Sequence, residues 1–254
     1  MLKRINFDTW QELEPYWIDG LIERFSLIWR SFLRPVLVRS DSFPVLRSCK
    51  LDDVSVHTIS SFEALDLPPG VHDLVLLTPF LQWTQDVPGI LTQAYHALAE
   101  DGFFVACFFG QDTLIEFKSV CAELDLKYMK GLQQRFLPTI HTKDAAMLMQ
   151  RAGFSSPTSD IEHLCFSLTS VDELVRKMRD SGLTNAKVTS HMPYLSTRSL
   201  PKCFYKEAQD CYIKKYPHSV TGINVSVDLI FMCGWKQSTV KSSPSLNSNP
   251  PTVL

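Results

Sequence analysis

The chain lacks a net positive charge, a long apolar run and paired cysteines, and each absence removes a class of function. Its 254 residues include 25 lysines and arginines against 27 aspartates and glutamates, a formal net charge of −2. Because these charges are scattered, no basic surface is predicted for holding nucleic acid. No apolar run reaches the roughly 18 residues of a membrane-spanning helix. Acidic residues follow Lys3 and Arg4, so we predict neither a signal peptide nor a transit peptide.

Metal-binding and nucleophile patterns are also absent from the sequence. The seven cysteines include no Cys-x-x-Cys pair, which favours reduced, mostly buried thiols in a cytosol-like compartment over disulfides or zinc. The seven histidines include neither His-Glu-x-x-His nor His-x-x-x-His, and no Gly-x-Ser-x-Gly elbow occurs. We therefore predict no metal site and no nucleophilic catalysis. Of the histidines, only His141 is a candidate for a position near a ligand site, and the pattern favours a position away from it.

The chain does contain enough apolar sequence for one good-sized core. Hydrophobic residues make up 45% of the chain and charged residues 20%, which is typical of one globular domain with room for a small lobe. We predict a domain over residues 1–236, with a helical lobe at about 170–218. Residues 237–254 are rich in Ser, Pro, Asn and Thr, and they are predicted to form a disordered tail.

The stretch from Asp73 to Gly110 predicts a strand, a helix and a second strand. Asp73–Leu77 and Phe103–Phe109 are short apolar runs of the length expected for strands buried on both faces. Between them, from Val87 to Ala99, apolar residues recur three or four positions apart, which is the spacing of one helix face. A strand, a crossover helix and a strand of this length predict a right-handed βαβ unit in a parallel sheet.

The residues of this unit resemble a known superfamily. An Asp-Leu-Val strand leads to a loop with Trp83 and Asp86, then to Pro88, and later to Asp101-Gly102 before an aromatic residue. This arrangement resembles the second half of class I S-adenosylmethionine-dependent methyltransferases. Within them, one branch holds the BioC-like methyltransferases and the arginine hydroxylase that assists mitochondrial complex I assembly. Three segments resemble that branch: Phe109–Glu116, Arg151–Phe154 and Gly234–Lys236.

The resemblance implies a fold, a cofactor and a set of partners. The implied fold is α/β and Rossmann-like, with a mostly parallel sheet and helices on both faces. The implied cofactor is S-adenosylmethionine, and the implied activity is methyl transfer, or a related hydroxylation, on a small-molecule or protein acceptor. Subunits of respiratory complex I are possible protein partners by this resemblance. The expected compartment is the bacterial cytoplasm, with the mitochondrial matrix as the alternative.

Glycine is missing where the superfamily has its glycine-rich cofactor loop. Val36–Val38 predicts a strand, and Ser40 and Asp41 follow it in a stretch without glycine. Glycines in such a loop adopt positive φ and let the backbone approach the ligand, while the next helix start offers free N–H groups. Ser40 and Asp41 can cap a helix over Phe43–Cys49, but they open less space. We therefore predict that cofactor binding is weakened or lost.

The N-terminal half is also shorter, by one strand and one helix, than the resemblance implies. Only one further strand, Val54–Ile59, is predicted between Val36–Val38 and the strand that begins at Asp73. Two alternatives stay open, because Val36–Val38 matches either the first or the second strand of the superfamily. Only in the second case would Asp41 be the acid that binds the ribose hydroxyls of the cofactor.

Six residues are candidates for cofactor binding: Ser40, Asp41, Glu63, Thr78, Gln82 and Trp83. Glu63 lies in a stretch that resembles the acid-x-leucine-proline sequence near the adenine. The last three candidates follow a predicted strand, and open α/β sheets bind ligands at the carboxyl ends of their strands. The alternative interpretation is that Trp83 and Phe80 only cover the sheet end, while Asp86 caps the next helix.

Periodicity and turn residues predict the remaining elements. The expected helices and strands are Asp8–Phe32 with Trp29 on its apolar face, Asp112–Leu126, Lys143–Arg151, Ser170–Arg179, a helix from Ser199 to about Tyr216, and the strands Ser156–Leu168 and Ile223–Cys233. Thr142 is expected to cap one helix, which Gly153 ends. Ser170–Glu173 is expected to form a capping box.

Two segments near the predicted sheet end allow two interpretations each. Phe109–Asp112 either lines the same opening as the cofactor candidates or only ends a strand and caps a helix. The aromatic residues of the lobe either cover a substrate or form a packed helix face: Tyr194, Phe204, Tyr205, Tyr212 and Tyr216.

Three functions from different classes are compatible with this sequence. The first is an S-adenosylmethionine-dependent methyltransferase, which works mainly by positioning a sulfonium methyl group for in-line attack. The second is a non-catalytic relative that assists assembly of a respiratory complex through protein binding. The third is a small-molecule binding domain without a reaction. The fold alone does not decide among them, because function belongs to the site and not to the scaffold.

Overall fold

The structure is a computed structural model that describes residues 3–6, 13–40, 52–133, 135–136, 139–180, 203–217 and 222–238. Several predictions fall on other residues and so lie outside the described stretches: Asp41, the helix over Phe43–Cys49, Tyr194, the start of the helix at Ser199 and the tail beyond Ser238. Within the described stretches, no helix has both the length and the apolar character needed to span a membrane.

Seven strands from the described stretches form one mixed sheet. They are β1 (Lys3–Asn6), β2 (Pro35–Ser40), β3 (Ser55–Ile59), β4 (His72–Leu77), β5 (Leu98–Phe109), β6 (Ser155–Leu168) and β7 (Ile223–Trp235). Their order across the sheet is β1-β6-β7-β5-β4-β2-β3. β7 runs antiparallel to β5 and β6, and the other neighbouring pairs are parallel.

Six α-helices are described along the chain. They are α1 (Glu14–Ser26), α2 (Val87–Ala97), α3 (Ile115–Met129), α4 (Thr142–Arg151), α5 (Val171–Asp180) and α6 (Phe204–Lys215). A short 3₁₀ helix, Leu81–Trp83, follows β4. The predicted βαβ unit is confirmed as β4, α2 and β5, because β4 and β5 pair in parallel with α2 between them. α5 and α6 pack on each other, and α6 packs on α3. The helical lobe over about 170–218 stays a prediction, because part of it lies outside the described residues.

Helices cover both faces of the sheet, as the resemblance implied. Successive side chains of a strand point to opposite faces. On β7, the ring of Phe231 lies 3.5 Å from the guanidinium carbon of Arg24 in α1. Ser226 bonds Glu116 of α3, and Gly234 lies against Met149 of α4. Ser226 and Gly234 are an even number of residues apart, so they face the same side of the sheet, whereas Phe231 faces the opposite side. α1 therefore lies on one face of the sheet, and α3 and α4 lie on the other.

The position of β2 settles which strand of the superfamily it matches. β2 pairs with β4 on one side and with β3 on the other. In doubly wound sheets of the order 3-2-1-4-5, the strand beside the fourth is the first, so β2 is the first strand and β3 the second. No further strand follows β3 before β4 within 52–71, which agrees with the predicted shortening. Asp41 follows this first strand, so the condition under which it would bind the ribose hydroxyls is not met, and Asp41 itself lies outside the described residues.

The first helix is shorter than predicted. α1 ends at Ser26, and the predicted apolar position of Trp29 is wrong, because the side chain is fully exposed. The chain turns here, since both oxygens of the buried Asp73 carboxylate accept hydrogen bonds from the backbone N–H groups of Leu33 and Arg34, at 2.6 and 2.9 Å. Two backbone N–H groups are thereby satisfied without a further helical turn.

Two of the predicted helix caps differ from the structure in detail. Thr142 is already helical, and His141 takes the N-cap position, so the prediction for Thr142 is wrong. In the predicted capping box, Ser170 Oγ does accept from the Glu173 N–H, at 3.2 Å. The Glu173 carboxylate, however, accepts from the backbone N–H and hydroxyl of Thr169 instead of reaching Ser170. Gly153 ends α4 at φ +101° as predicted.

Candidate functional site

The carboxyl ends of β2, β4 and β5 meet at one end of the sheet. Ser40 is the last residue of β2, and it is buried. Thr78 directly follows β4, and its N–H donates to the carbonyl of Val38 at 3.1 Å, which extends the β2–β4 pairing by one bond. The sequence therefore brings Ser40 and Thr78 to the edge at which open α/β sheets bind ligands.

A stack of aromatic rings fills the space beside these strand ends. Phe62 stacks on Trp83 and on Phe80, with ring centroids 5.9 and 6.0 Å apart. Phe80 and Trp83 are buried in the core. The packing supports the interpretation that Trp83 and Phe80 cover the sheet end, because neither ring presents a free face to a ligand of nucleoside size.

Two acidic residues near the stack hold the loop that follows β4. The Glu63 carboxylate accepts from the Thr84 hydroxyl at 2.9 Å and from the Gln85 N–H at 2.8 Å. Asp86 accepts from the Gly89 N–H at 2.9 Å, so it caps α2 as the alternative interpretation held. Both carboxylates thus stabilise the entry into α2. The predicted role of Glu63 near an adenine stays a prediction.

Two polar atoms at the end of β4 are buried without a hydrogen-bond partner among the described residues. They are Thr78 Oγ1 and Gln82 Oε1, in side chains that are 0% and 6% exposed. The amide nitrogen of Gln82 donates to the Pro79 carbonyl at 2.8 Å, which orients the amide. A buried, unpaired polar atom typically costs about 1–3 kcal/mol. Both atoms therefore mark positions where a further hydrogen-bond donor would be favourable.

A small pocket opens next to Gln82, above the carboxyl end of β5. Its cavity volume is about 40 Å³, and it is partly open to solvent. Four apolar side chains line it: Phe109, Leu114, Phe136 and Met178. Gln82, Thr113, Lys118 and Thr139 supply the polar groups. Of the two interpretations of Phe109–Asp112, the lining of the opening is supported for Phe109.

Lys118 is the charged group of this pocket. Its Nζ donates to the Gln111 carbonyl at 2.9 Å and lies 5.9 Å from the centre of the Phe136 ring. Burial lowers the pKa of the Lys118 ammonium below its usual value, although the carboxylates of Asp112 and Asp228 act in the opposite direction. The pocket thus places one cation beside apolar walls.

Asp228 lies behind the pocket on β7. Its backbone N–H and carbonyl both bond the Thr113 hydroxyl, at 3.1 Å each. The carboxylate is buried, with Oδ1 at 2.7 Å from His163 Nδ1 and no partner for Oδ2 among the described residues. Gly110 permits this approach, because a Cβ there would lie 2.9 Å from the Asp228 Cβ. Asp228 therefore anchors Thr113 and the turn that leads into α3.

Nothing in the sequence indicated that Lys118, Thr113 and Met178 line the pocket. Met178 comes from the lobe and Thr139 from the segment before α4, so only the tertiary fold brings them to β5. Asp228, behind the pocket, could have been noticed in the sequence, since it is an acid inside the apolar run Val227–Cys233. A buried acid in such a run has a partner or a function. The predicted neighbour His141 follows Ile140, which bridges to Gly110 at the end of β5.

The described residues at the ends of β2 and β4 offer few features of a cofactor site. Ser40, Thr78 and Trp83 lie at or just after the ends of β2 and β4 and are buried, and no glycine follows β2 through residue 69. Only the two unpaired polar atoms at the end of β4 favour a ligand there.

The strand order, the βαβ unit and the ligand-binding end of the sheet define a Rossmann-like α/β domain of the methyltransferase type. Homologues among curated proteins agree with this class. The chain is 25% identical over 198 residues to the mitochondrial arginine-hydroxylase NDUFAF5 of Rattus norvegicus. This alignment covers 78% of the present chain and 56% of the rat protein. It is 28% identical over 127 residues to a malonyl-[acyl-carrier protein] O-methyltransferase of Halorhodospira halophila, covering 50% of this chain and 41% of that enzyme.

These homologues confirm the resemblance to the BioC and NDUFAF5 branch that the sequence motifs indicated. The chain spans just over half the length of the rat protein. Among solved structures, YcgJ from Bacillus subtilis matches with a TM-score of 0.48 and 10% identity, over 87% of this chain and 99% of that one. No protein-family model matches the chain.

Proposed function

We propose that this protein is a methyltransferase-like assembly factor of the BioC and complex I assembly branch, with cofactor binding weakened or lost. It acts by binding a protein partner. The observation that carries this proposal is the filled end of β2 and β4. Buried Ser40, Thr78 and Trp83 occupy the edge at which a nucleoside would lie. A scaffold of this kind that no longer binds its cofactor still has a surface with which it can bind a protein partner.

Subunits of respiratory complex I are the proposed partners. Support comes from the resemblance of Phe109–Glu116, Arg151–Phe154 and Gly234–Lys236 to the branch that includes the complex I assembly hydroxylase. One homologue is named as a mitochondrial protein. The proposed compartment is the bacterial cytoplasm or the mitochondrial matrix.

Capture of partners from host cells tests the proposal. The full chain carries an affinity tag, is crosslinked in the host and is recovered, and the bound proteins are identified by mass spectrometry. We expect enrichment of complex I subunits, and the same yield when S-adenosylmethionine is added in excess. Recovery without any complex I subunit contradicts the assembly role. A yield that depends on the cofactor contradicts the claim that the cofactor site is weakened or lost.

Methyl transfer is the second candidate function. The unpaired Thr78 Oγ1 and Gln82 Oε1 favour it, because they lie at the strand end where related sheets bind ligands and a ligand would satisfy them. Its test is transfer of a labelled methyl group from S-adenosylmethionine to proteins or small molecules of a host extract. Label in an acceptor that depends on the chain would establish this function in place of the first.

A further inference from the structure

The pocket above β5 has the composition of a site for a small organic acid. Its apolar walls come from three parts of the fold: Phe109 from β5, Leu114 from the turn into α3, and Met178 from the lobe. Phe136 closes the fourth side. Leu114 is held at φ 60°, a conformation that is uncommon for a side chain of this type and is found at functional sites when the surroundings fix it.

The polar groups of the pocket are of two kinds. Lys118 supplies a cation, and one of its three N–H groups is used by the Gln111 carbonyl. Gln82 supplies an acceptor, since its Oε1 is buried and has no partner among the described residues. The eight lining residues include no carboxylate. Asp112 and Asp228 act on Lys118 from outside the lining, and Asp228 is already bonded to His163.

We propose that this pocket binds a short-chain hydroxy acid. The ligand carboxylate pairs with the Lys118 ammonium, its hydroxyl donates to Gln82 Oε1, and its hydrocarbon part lies against the four apolar side chains. A cavity of about 40 Å³ restricts the ligand to a few non-hydrogen atoms. The proposal does not depend on the proposed function, because it concerns neither the cofactor nor a protein partner.

The positive charge of Lys118 excludes ligands that carry a cation. A guanidinium group would meet the Lys118 ammonium without any carboxylate in the pocket lining, and like charges in a partly desolvated site repel strongly. The homologue from rat is named an arginine-hydroxylase. This pocket therefore favours an anionic ligand, whereas an arginine side chain is a cation.

Three small probes test the proposal by nuclear magnetic resonance titration of the full chain. Lactate carries both the carboxylate and the hydroxyl, propionate lacks the hydroxyl, and methylguanidinium carries the opposite charge. We expect lactate to bind more tightly than propionate, and methylguanidinium not to bind. Lys118→Met should weaken lactate binding by about tenfold or more, as expected for the loss of a charge-assisted contact. Lys143→Met, at an exposed lysine of α4, should leave it unchanged.

A second variant isolates the role of the hydroxyl. Gln82→Met removes the acceptor, so lactate and propionate should then bind with equal affinity. Thermal melting of each variant shows whether it is folded, and Lys118→Gln replaces Lys118→Met if the latter is not. The proposal is overturned if lactate does not bind to the wild-type chain, if a folded Lys118 variant binds it as well as the wild type, or if methylguanidinium binds as tightly as lactate.

Discussion

Two threonines at the ligand-binding end of the sheet differ in their hydrogen bonds. Thr78 Oγ1 is buried without a partner among the described residues, whereas Thr113 Oγ1 donates to the Asp228 carbonyl and accepts from its N–H. Both side chains are nearly or fully buried. The pair therefore allows the cost of an unpaired hydroxyl to be compared with the value of a paired one.

We predict opposite effects of Thr→Val at these two positions. Thr78→Val replaces an unpaired buried hydroxyl by a methyl group of similar shape, so the free energy of unfolding should stay the same or rise by about 1 kcal/mol. Thr113→Val leaves both backbone groups of Asp228 with one partner fewer and should lower it by about 1–3 kcal/mol. Urea unfolding of both variants measures the difference. Equal losses at the two sites would show that Thr78 Oγ1 has a partner in solution.

At the scale of single residues, the sequence predicted the position of a residue in the fold better than it predicted the contacts of its side chain. Thr78 and Gln82 could be placed at a strand end because they follow a recognisable buried run. The partners of Glu63 could not be predicted, since its bonds to Thr84 and Gln85 depend on how two loops meet. Lys118 gave no signal, because its exposure depends on Phe136 and Met178, which are distant in the sequence.

Among the elements, α1 approaches the sheet closely at a glycine. A Cβ at Gly20 would lie 2.2 Å from Cζ of Phe231, and Arg24 packs on the same ring while its guanidinium bonds Asp160 and Glu162 of β6. Any larger side chain at this position must displace a ring that the core fixes. The contact therefore sets the distance between α1 and β7.

We predict that Gly20→Ala destabilises the protein although alanine favours helices. Overpacking a core typically costs about 1–3 kcal/mol, which exceeds the gain of about 1 kcal/mol in helix propensity. Gly131→Ala is the matched control, because nothing lies within 4 Å of a Cβ there and its φ is not positive. Thermal unfolding should show a lower midpoint for Gly20→Ala alone. A raised midpoint for that variant would mean that α1 moves freely against β7.

An acid in the first turn of α5, Glu173, has a shifted pKa. Burial would raise the pKa of Glu173, but hydrogen bonds from Thr169 and the pairing with Lys177 outweigh it, so the pKa lies below its usual value. The Glu173 carboxylate is 3.3 Å from the Lys177 ammonium. Because the pKa is depressed in the folded state, the stabilisation is present above the unfolded-state pKa. It is lost as pH falls through the folded-state value.

We predict a pH-dependent effect of Glu173→Gln. At neutral pH the variant should lose about 1–2 kcal/mol of unfolding free energy, since a charged hydrogen-bond acceptor and the partner of Lys177 are removed. The difference from wild type should shrink as pH is lowered to about 3. Asp172→Asn, an exposed residue of the same helical turn, should change stability by less than about 0.5 kcal/mol. A loss that is constant with pH would contradict the assigned role of the carboxylate.

Elements with a clear hydrophobic period could be predicted from the sequence. Those whose bounds depend on contacts with another segment, such as the end of α1 and the strand β1, could not. The βαβ unit of β4, α2 and β5 followed from apolar spacing alone. The predicted helix over Asp8–Phe32 continued too far, because the hydrogen bonds that the N–H groups of Leu33 and Arg34 donate to Asp73 are not part of a helical pattern. β1 was missed, since Lys3–Asn6 has no strand period and is defined by its pairing with β6.

At the scale of the whole molecule, the sheet order explains both the likeness to methyltransferases and the difference from them. β3, β2, β4 and β5 follow the order of a doubly wound sheet. The edge beyond β3 lacks a third strand among the described residues, as the short span between β2 and β4 predicted. The order of strands could therefore be predicted from the resemblance, whereas the stacking of Phe62 on Phe80 and Trp83 beside the strand ends required coordinates.

The central claim is that this fold has kept the scaffold of a nucleotide-cofactor enzyme while the cofactor end has become filled. Titration calorimetry of the full chain with S-adenosylmethionine, and then with S-adenosylhomocysteine, tests it most directly. We predict a dissociation constant in the millimolar range or no measurable heat for both compounds. A dissociation constant in the low micromolar range for either compound would contradict the account.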